Sequence, residues 1–348
     1  MFAYFGMLLL PAIFAFTGRK RAEPLLLIPM FVMFVLFIGL RDKVGMDWNN
    51  YLAIFDKVSG YTFAEAVTTS EPGFTVLTWL SFWMGFDVYG INFFGALIFS
   101  FGLFSICHVA REPWLALVVA IPYLVVVIAM SGLRQSVAIG IIFLLVANWR
   151  SFGVIYRVGF ILAASLFHLS AIFLLIFVVL ELKLSMVYKF VLVVLISVVS
   201  VYVLSMTDQH AEHLSYYKET YLGEESIYSP GALQHVLLLT IPAGVYLLNY
   251  KKWTKLYGKD QLLLMMSILS LATVPGVLVW STAVDRMSLY LSSLPLLVYA
   301  GLPYLFRSSI RSFATRLLII SFHILVMAVW LSSANSAYAY LPYSNILF

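Results

Sequence analysis

Several isolated charged residues of this chain could carry chemistry, because each lies beside a long apolar run. In the stretch GLRDKVGMDWNNY, 39–51, the charges follow an uncharged run, 25–40. Arginine binds phosphate oxygens through a planar bidentate fork, and a carboxylate or imidazole can accept a proton from a hydroxyl group. The side chains that combine such chemistry with such a position are Arg41, Asp47, Glu71, Arg134, His168 and Arg286.

The elements that must hold these residues are membrane helices. Of the 348 residues, 63% are hydrophobic and 11% are charged, whereas soluble domains are about 45–50% apolar and about 25% charged. Apolar runs lie at 3–17, 24–40, 73–86, 91–109, 114–131, 133–149, 154–180, 187–205, 232–250, 261–280, 287–305 and 317–334. We therefore predict an all-α, polytopic integral membrane bundle, one domain over 1–348, with about 11–12 transmembrane or membrane-embedded helices.

Basic residues predict the side of the membrane on which each connection lies, because cytoplasmic loops are enriched in Lys and Arg. The basic groups at 19–21, 251–259 and 307–316 are predicted to be cytoplasmic. The two long polar stretches, 41–72 and 206–231, then lie outside.

Simple alternation would place Arg111, Arg150 and Arg157 outside, against this rule. The conflict disappears if 73–86 enters the membrane without crossing it and 154–180 is broken at Phe167-His168-Leu169-Ser170. The cost is two helices of about 16 residues, or ~24 Å at 1.5 Å per residue, a mismatch that local thinning or burial in the bundle can accommodate. With this arrangement the three arginines are inside, and Arg134 and His168 are outside.

Each of these positions also has a purely structural explanation. The 39–51 stretch fits an interfacial cap with snorkelling basic groups and interfacial aromatics. Glu71 precedes a proline and fits the N-terminus of a helix. His168 could be satisfied by a backbone carbonyl, and Asp285 with Arg286 could form a local ion pair. Arg134 is the hardest to explain in this way, since an arginine between apolar runs needs a cavity or a partner.

Other classes of site are disfavoured by the composition. A lone cysteine, Cys107, excludes an internal disulfide and two-cysteine metal motifs. His210 and His213 could share a helix face, but this is a weak metal signal, and we predict neither a metal nor a cofactor. The net charge of +5 comes mostly from basic loops, which is typical of membrane topology rather than of nucleic-acid binding.

Taken together, the outward-facing residues predict glycosyl transfer from a lipid carrier. Arg41, Arg134 and Arg286 are predicted to hold pyrophosphate, and Glu71, Asp47 or His168 to take the proton of a sugar hydroxyl. The 206–231 stretch is expected to recognise sugars or to gate the site. Predicted sugar contacts are Trp48, Tyr51, Gln135 and Tyr290.

The chain resembles the EpsG-type, Wzy-like bacterial polysaccharide polymerases over about 39–345. The motifs that carry the resemblance are Gly39-x-Arg41, Val44-Gly45-x-Asp47-x-x-x-Tyr51, Glu71-x-Gly73-Phe74, Leu133-Arg134-Gln135 with Ala138, Phe167-His168-x-Ser170-Ala171, Arg286 with Tyr290, and Pro342-Tyr343-Ser344-Asn345. Trp48 stands where this family commonly has Tyr, a mild departure.

The resemblance implies a metal-independent membrane glycosyltransferase that joins repeat units of exopolysaccharide, capsule or O-antigen. A glycan on undecaprenyl pyrophosphate would pass to the sugar end of an incoming lipid-linked unit, at the outer face of the bacterial plasma membrane. Implied partners are the bilayer and these lipid-linked oligosaccharides, and further candidates are a chain-length regulator and other assembly proteins. The alternatives are a flippase or transporter for lipid-linked glycans and a membrane O-acyltransferase with His168 as base.

Overall fold

The computed structural model describes residues 1–16, 24–192, 194–195, 231–279, 281–306 and 308–347. Within these ranges the regular elements are helices, and extended pairing is limited to an isolated antiparallel bridge between Arg41 and Asn345. The all-α prediction is confirmed. Most of 206–231 lies outside the described residues, as do His210 and His213.

The described chain divides into two compact units. The first comprises Met1–Asn148 and Leu296–Phe348. Its helices are α1 (Phe2–Phe16), α2 (Pro24–Gly39), α3 (Trp48–Ser59), α4 (Phe63–Val67), α5 (Pro72–Trp83), α6 (Asp87–Val109), α7 (Pro113–Ala120), α8 (Leu133–Ala147) and α16 (Ser309–Ser333), with 3-10 turns at Leu302–Leu305 and Ala337–Ala339.

The second unit comprises Trp149–Pro295. Its helices are α9 (Val154–Ser165), α10 (Leu175–Glu181), α11 (Ala232–Leu248), α12 (Tyr250–Tyr257), α13 (Gln261–Val277) and α14 (Ser281–Ser288), with 3-10 segments at Leu169–Leu174 and Leu289–Leu291; α15 (Ser293–Gly301) begins at its end. The prediction of a single domain over 1–348 is not tested by this division.

Two described helices, α6 and α16, are long and apolar enough to cross a membrane. Two bent pairs also qualify if each is one span: α11 with α12, bent by 77°, and Val284–Leu291 with Ser293–Leu305, bent by 43°. Other apolar helices are shorter, such as α2 and α8. The composition and these helices together make the chain a polytopic membrane protein.

Two unusual features of the predicted topology are present. Helix α5 has only 12 residues, or ~18 Å at 1.5 Å per residue, which is too short to cross a ~30 Å hydrocarbon core. The 154–180 run is interrupted where predicted, because α9 ends at Ser165 and a 3-10 segment begins only at Leu169.

The polar 41–72 stretch is helical rather than a simple loop. Helix α3 is amphipathic and buries one face through Tyr51, Phe55 and Val58. Helix α4 begins at a capping box in which the Thr62 hydroxyl accepts from the Glu65 backbone and the Glu65 carboxylate accepts from the Thr62 N–H. Such caps satisfy the backbone donors that a helix start leaves open.

A break in the regular α-helical hydrogen-bond pattern shapes the segment that leads to Arg134. Helix α7 continues as a π-helix over Ile121–Ala129, with Pro122 in its first turn. Proline donates no backbone hydrogen bond, so the pattern of helical backbone hydrogen bonds must change around it. Helical turns of the π type are commonly found beside functional sites. The segment ends at the Ser131-Gly132 turn that starts α8.

Each unit also contains a buried or half-buried ion pair of structural character. In the first, Arg316 binds both carboxylate oxygens of Glu112, which is 1% exposed. In the second, Arg157 donates to Glu181 Oε2 at 2.5 Å and to the Trp149 carbonyl, while its guanidinium lies over the Trp149 ring. Such charges are stable in an apolar unit because each is paired.

Candidate functional site

Arg41 is at the centre of the 39–47 loop and has no exposed surface. Its guanidinium donates to the Ile38 carbonyl at 2.6 Å, the Val44 carbonyl at 3.1 Å and Asn92 Oδ1 at 2.9 Å. Burial lowers the pKa of Arg41 to about 10, so the group is still charged at neutral pH. These contacts make Arg41 the internal support of the loop, whereas a pyrophosphate ligand was expected.

A C-terminal segment holds the same loop from the other side. The Asp42 N–H donates to the Ser344 carbonyl, the Gly45 N–H to the Ala339 carbonyl, and the Ile346 N–H to the Leu40 carbonyl. Asn345 Nδ2 donates to the Leu36 carbonyl at 3.1 Å. We call residues 337–346 the clasp, because they pair with the loop much as a short second strand would.

Gly45 allows the loop to approach the start of α8. Its φ is +108°, and a Cβ at this position would lie 2.1 Å from the Met130 carbonyl oxygen. Only glycine combines that backbone conformation with so close an approach. The next turn is fixed by the Asp47 N–H, which donates to Ser131 Oγ at 3.2 Å.

Tyr340 of the clasp completes this arrangement. Its hydroxyl donates to the Val127 carbonyl in the π-helix at 3.3 Å. Burial raises the pKa of Tyr340 to about 12. Asp47, Ser131 and Tyr340 thus tie together three segments that are far apart in the sequence.

Beside this scaffold, Arg134 and Glu71 form an ion pair of 2.6 Å. The Glu71 side chain is 9% exposed and that of Arg134 is 44% exposed, so the arginine can be reached from outside. Glu71 is the N-cap residue of α5, with Pro72 at the first helical position, but its side chain makes no capping bond. The structure therefore directs this carboxylate to Arg134 and not to the helix terminus.

Two aromatic side chains position Arg134 further. Its guanidinium carbon lies 5.9 Å from the centroid of the Phe74 ring, within the range of a cation–π contact. The Tyr51 ring packs on Phe74, and Asp47 and Arg134 both act electrostatically on the Tyr51 hydroxyl. Burial raises the pKa of Tyr51. The structure thus brings together Asp47, Tyr51, Glu71 and Arg134, as the sequence motifs suggested.

The four residues expected to contact sugars are buried. Tyr290 is 0% exposed, Gln135 2%, Tyr51 3% and Trp48 7%. Trp48 packs on Tyr89 and Tyr51 on Phe74. With so little exposed surface, none of the four side chains is open to a ligand in this conformation.

The other predicted residues lie in the second unit. His168 occupies the break between α9 and the 3-10 segment, and Ser170 Oγ lies 3.1 Å from the Tyr290 hydroxyl. Arg286 is exposed on α14. Asp285 Oδ1 lies 2.9 Å from Nδ1 of His235 on another helix, a contact that the sequence did not suggest.

Sequence reasoning missed four residues that hold these clusters: Asn92, Ser131, Tyr340 and His235. A weak signal existed for His235, because it is a lone titratable residue at the start of an apolar run. No local signal marks the others, since their partners are far away in the sequence. Among the described residues there is no group of three His, Cys, Asp or Glu side chains that could hold a metal ion.

Comparison with known proteins identifies a family and no individual relative. The model of the EpsG family matches residues 25–345 of the chain. No curated protein and no solved structure matches it.

Proposed function

The chain belongs to the EpsG family, and from this we propose that it is a polysaccharide polymerase of the membrane glycosyltransferase class. The proposed donor is an oligosaccharide on undecaprenyl pyrophosphate, and the acceptor is a sugar hydroxyl of another lipid-linked unit. The acceptor oxygen bonds to the anomeric carbon as the bond from that carbon to the pyrophosphate oxygen breaks. The electron pair of the broken bond leaves with the pyrophosphate.

The observation that best supports this proposal is the exposed Arg134 held by the nearly buried Glu71. An arginine that binds pyrophosphate must be accessible to it, and 44% of the Arg134 side chain is exposed. Its planar fork suits two phosphate oxygens. We propose that Arg134 binds a lipid pyrophosphate and that Glu71 fixes the arginine in the required orientation.

Substrate positioning and charge stabilisation can supply most of the rate, because a sugar on pyrophosphate is already activated. Two lipid-linked substrates bring two pyrophosphates. Arg286, which is exposed on the second unit, is the proposed ligand of the other one. Asp47 and His168 are proposed to act on the sugar hydroxyls, and Arg41 to support the loop that carries Asp47.

The test uses purified protein in liposomes with lipid-linked repeat units. Chain extension supports a polymerase, movement of the lipid between leaflets without extension indicates a flippase, and an added acyl mass indicates an acyltransferase. Arg134→Ala should abolish extension, and Arg134→Lys should restore little of it, since lysine lacks the bidentate fork. Normal polymer from correctly inserted Arg134→Ala protein, in a strain lacking the native gene, would refute the pyrophosphate role.

The proposed outer location of the site has its own test. Asn49, on the 41–72 stretch, and Arg111 are both exposed, and the sequence predicts them on opposite sides of the membrane. Cysteines placed there should react with an impermeant maleimide in intact cells at 49 only. Cys107 is buried, so it gives little background. Reaction at 111 from outside contradicts the proposed topology.

A further inference from the structure

The short helix α12 turns sharply away from the apolar helix that precedes it. The axes of α11 and α12 differ by 77°, and Asn249 lies at the corner. Its backbone N–H donates to the Val245 and Tyr246 carbonyls, and its side-chain Nδ2 donates to the Val245 carbonyl at 2.9 Å. The corner is therefore a capped and ordered helix end. A turn of this size carries the chain from the direction of a membrane helix to a direction near the membrane plane.

Helix α12 has a basic face and an apolar face on opposite sides. With a rotation of about 100° per residue, Lys251, Lys252 and Lys255 lie within an arc of roughly 100°, and all three are exposed. Trp253 and Leu256 lie on the other side of the helix. A helix that separates lysines from aromatic and aliphatic side chains in this way is typical of segments that lie in the membrane interface.

The apolar face is fixed to its own unit at one end and exposed at the other. Trp253 is 4% exposed, and its ring packs edge-on against Tyr246 and Tyr257, with centroids 5.4 Å and 4.9 Å away. These contacts determine the direction in which the lysines point. Leu256 is 51% exposed and Leu248, at the corner, is 88% exposed, so both side chains are open to the acyl chains of a bilayer.

The positive charge of this segment is not balanced within it. Residues 249–262 contain four lysines, the fourth being Lys259, and a single carboxylate, Asp260. Asp260 accepts from Arg150 Nη2 at 2.9 Å and, as the N-cap of α13, from the Leu263 N–H at 3.0 Å. The carboxylate is thus engaged by an arginine and a helix terminus. The surface offered to an external partner is positive.

Anionic lipid headgroups match both properties of α12. Their phosphates complement the lysines, and each basic residue near an anionic membrane surface strengthens binding by about fivefold. Their acyl chains cover Leu248 and Leu256, next to which lysine stems can extend toward the headgroups. An acidic protein surface or a soluble phosphate would complement the charge but would leave the exposed leucines without an apolar environment.

We propose that α12 is an interfacial helix that gathers anionic lipids around the second unit. Lys251, Lys252 and Lys255 bind the headgroup phosphates, and Leu248 and Leu256 insert between the acyl chains. The inference concerns a surface of the second unit alone and is independent of the proposed reaction.

The experiment places a fluorophore on α12 of the full-length protein in liposomes. Leu256→Cys is labelled, and Cys107 gives little background because it is buried. The liposomes are phosphatidylcholine with a minor fraction of phosphatidylglycerol, and a nitroxide quencher is carried by one lipid or by the other in otherwise identical mixtures. Wild-type protein with this label should be quenched more strongly by the anionic nitroxide lipid. The ratio of the two quenching constants measures the preference.

Removal of the lysines should remove the preference. Each lysine lost should lower it by up to about fivefold, so Lys251→Gln with Lys255→Gln should bring the ratio close to one. Lys43→Gln with Lys57→Gln is the matched control, because it changes the net charge equally at exposed lysines of the first unit, and it should keep the preference. Thermal unfolding midpoints establish that both variants are folded.

Salt gives an independent measurement on the unchanged lysines. Raising the salt concentration from about 0.1 to about 1 M shortens the Debye length from about 10 to about 3 Å and should lower the ratio in the protein that retains all its lysines. Equal quenching by the two lipids, or a preference that survives in folded Lys251→Gln/Lys255→Gln protein, would overturn the inference. Quenching by neither lipid would also overturn it, since α12 would then lie away from the bilayer, as expected for a helix covered by an acidic protein.

Discussion

Arg41 and Arg134 both belong to the motifs of this family, yet the structure predicts that their substitution by lysine will have opposite consequences. Arg41 has no exposed surface and donates three hydrogen bonds in different directions. Lysine has a single ammonium group on a flexible stem and cannot reproduce that planar fork. Arg41→Lys should therefore act on stability, and Arg134→Lys on activity.

The magnitude follows from the bonds lost. A hydrogen bond that involves a charged group contributes about 1.5–3 kcal/mol, and a lysine at 41 can keep about one of the three. The expected loss in the free energy of unfolding is about 3–6 kcal/mol. Arg134 makes a partly exposed pair with Glu71, a type that contributes about 0–1 kcal/mol, and lysine preserves its charge.

The assay compares both variants with wild type in the same detergent. Tryptophan fluorescence follows unfolding, and extension of lipid-linked units is normalised to folded protein. Arg41→Lys should unfold at lower temperature and keep its activity per folded molecule, whereas Arg134→Lys should unfold normally and extend poorly. An Arg41→Lys protein of normal stability and low specific activity would show that Arg41 contacts substrate and that its buried position does not describe the working state.

Three further outcomes are expected. Gly45→Ala should prevent correct folding, because a Cβ would lie 2.1 Å from a carbonyl oxygen at a φ of +108°, whereas Gly159→Ala, with nothing within 4 Å, should be tolerated; expression and gel filtration distinguish them. Arg316→Leu should destabilise by about 3–5 kcal/mol because it leaves Glu112 charged and buried, and Glu112→Gln in the same chain should recover part of the loss in a denaturant titration. Hydrogen bonds from the Thr62 backbone N–H and hydroxyl lower the pKa of Glu65, so its contribution is complete above its unfolded pKa of about 4.3 and is lost as the pH falls through the lower folded value; the protection factors of the α4 amides, which correct for the intrinsic exchange rate at each pH, should fall on acidification in wild type and not in Glu65→Gln.

The features that were predictable from sequence depend on local signals. Apolar runs predicted helices, a proline after Glu71 predicted the start of α5, and the polar His168 in a long apolar run predicted the break in the structure. Each of these signals acts over a few residues, because helix length, capping and proline geometry are local properties. The sequence placed Glu71 and Arg134 on the same side of the membrane, and the structure adds that they form an ion pair.

What could not be predicted depends on contacts between distant segments. The sequence does not distinguish a buried Arg41 from an exposed one, since burial is created by Asn92 and the clasp. The contact of Asp285 with His235 joins two helices across fifty positions, and no local pattern marks it. The π-helix before Arg134 also had no clear signal, because a proline is equally compatible with a kink or the end of a helix.

The clasp also determines when the 39–47 loop can reach its final structure during biosynthesis. Asn345 bonds to the Leu36 carbonyl across 309 positions, so the 39–47 loop leaves the ribosome long before the segment that holds it. At about 5–20 residues per second, the loop waits roughly 15–60 s for its partner. During that interval the loop around Arg41 lacks its contacts with the clasp. Insertion factors or chaperones therefore have a defined window in which to bind this loop, and ribosome stalling between α8 and α16 should lengthen it.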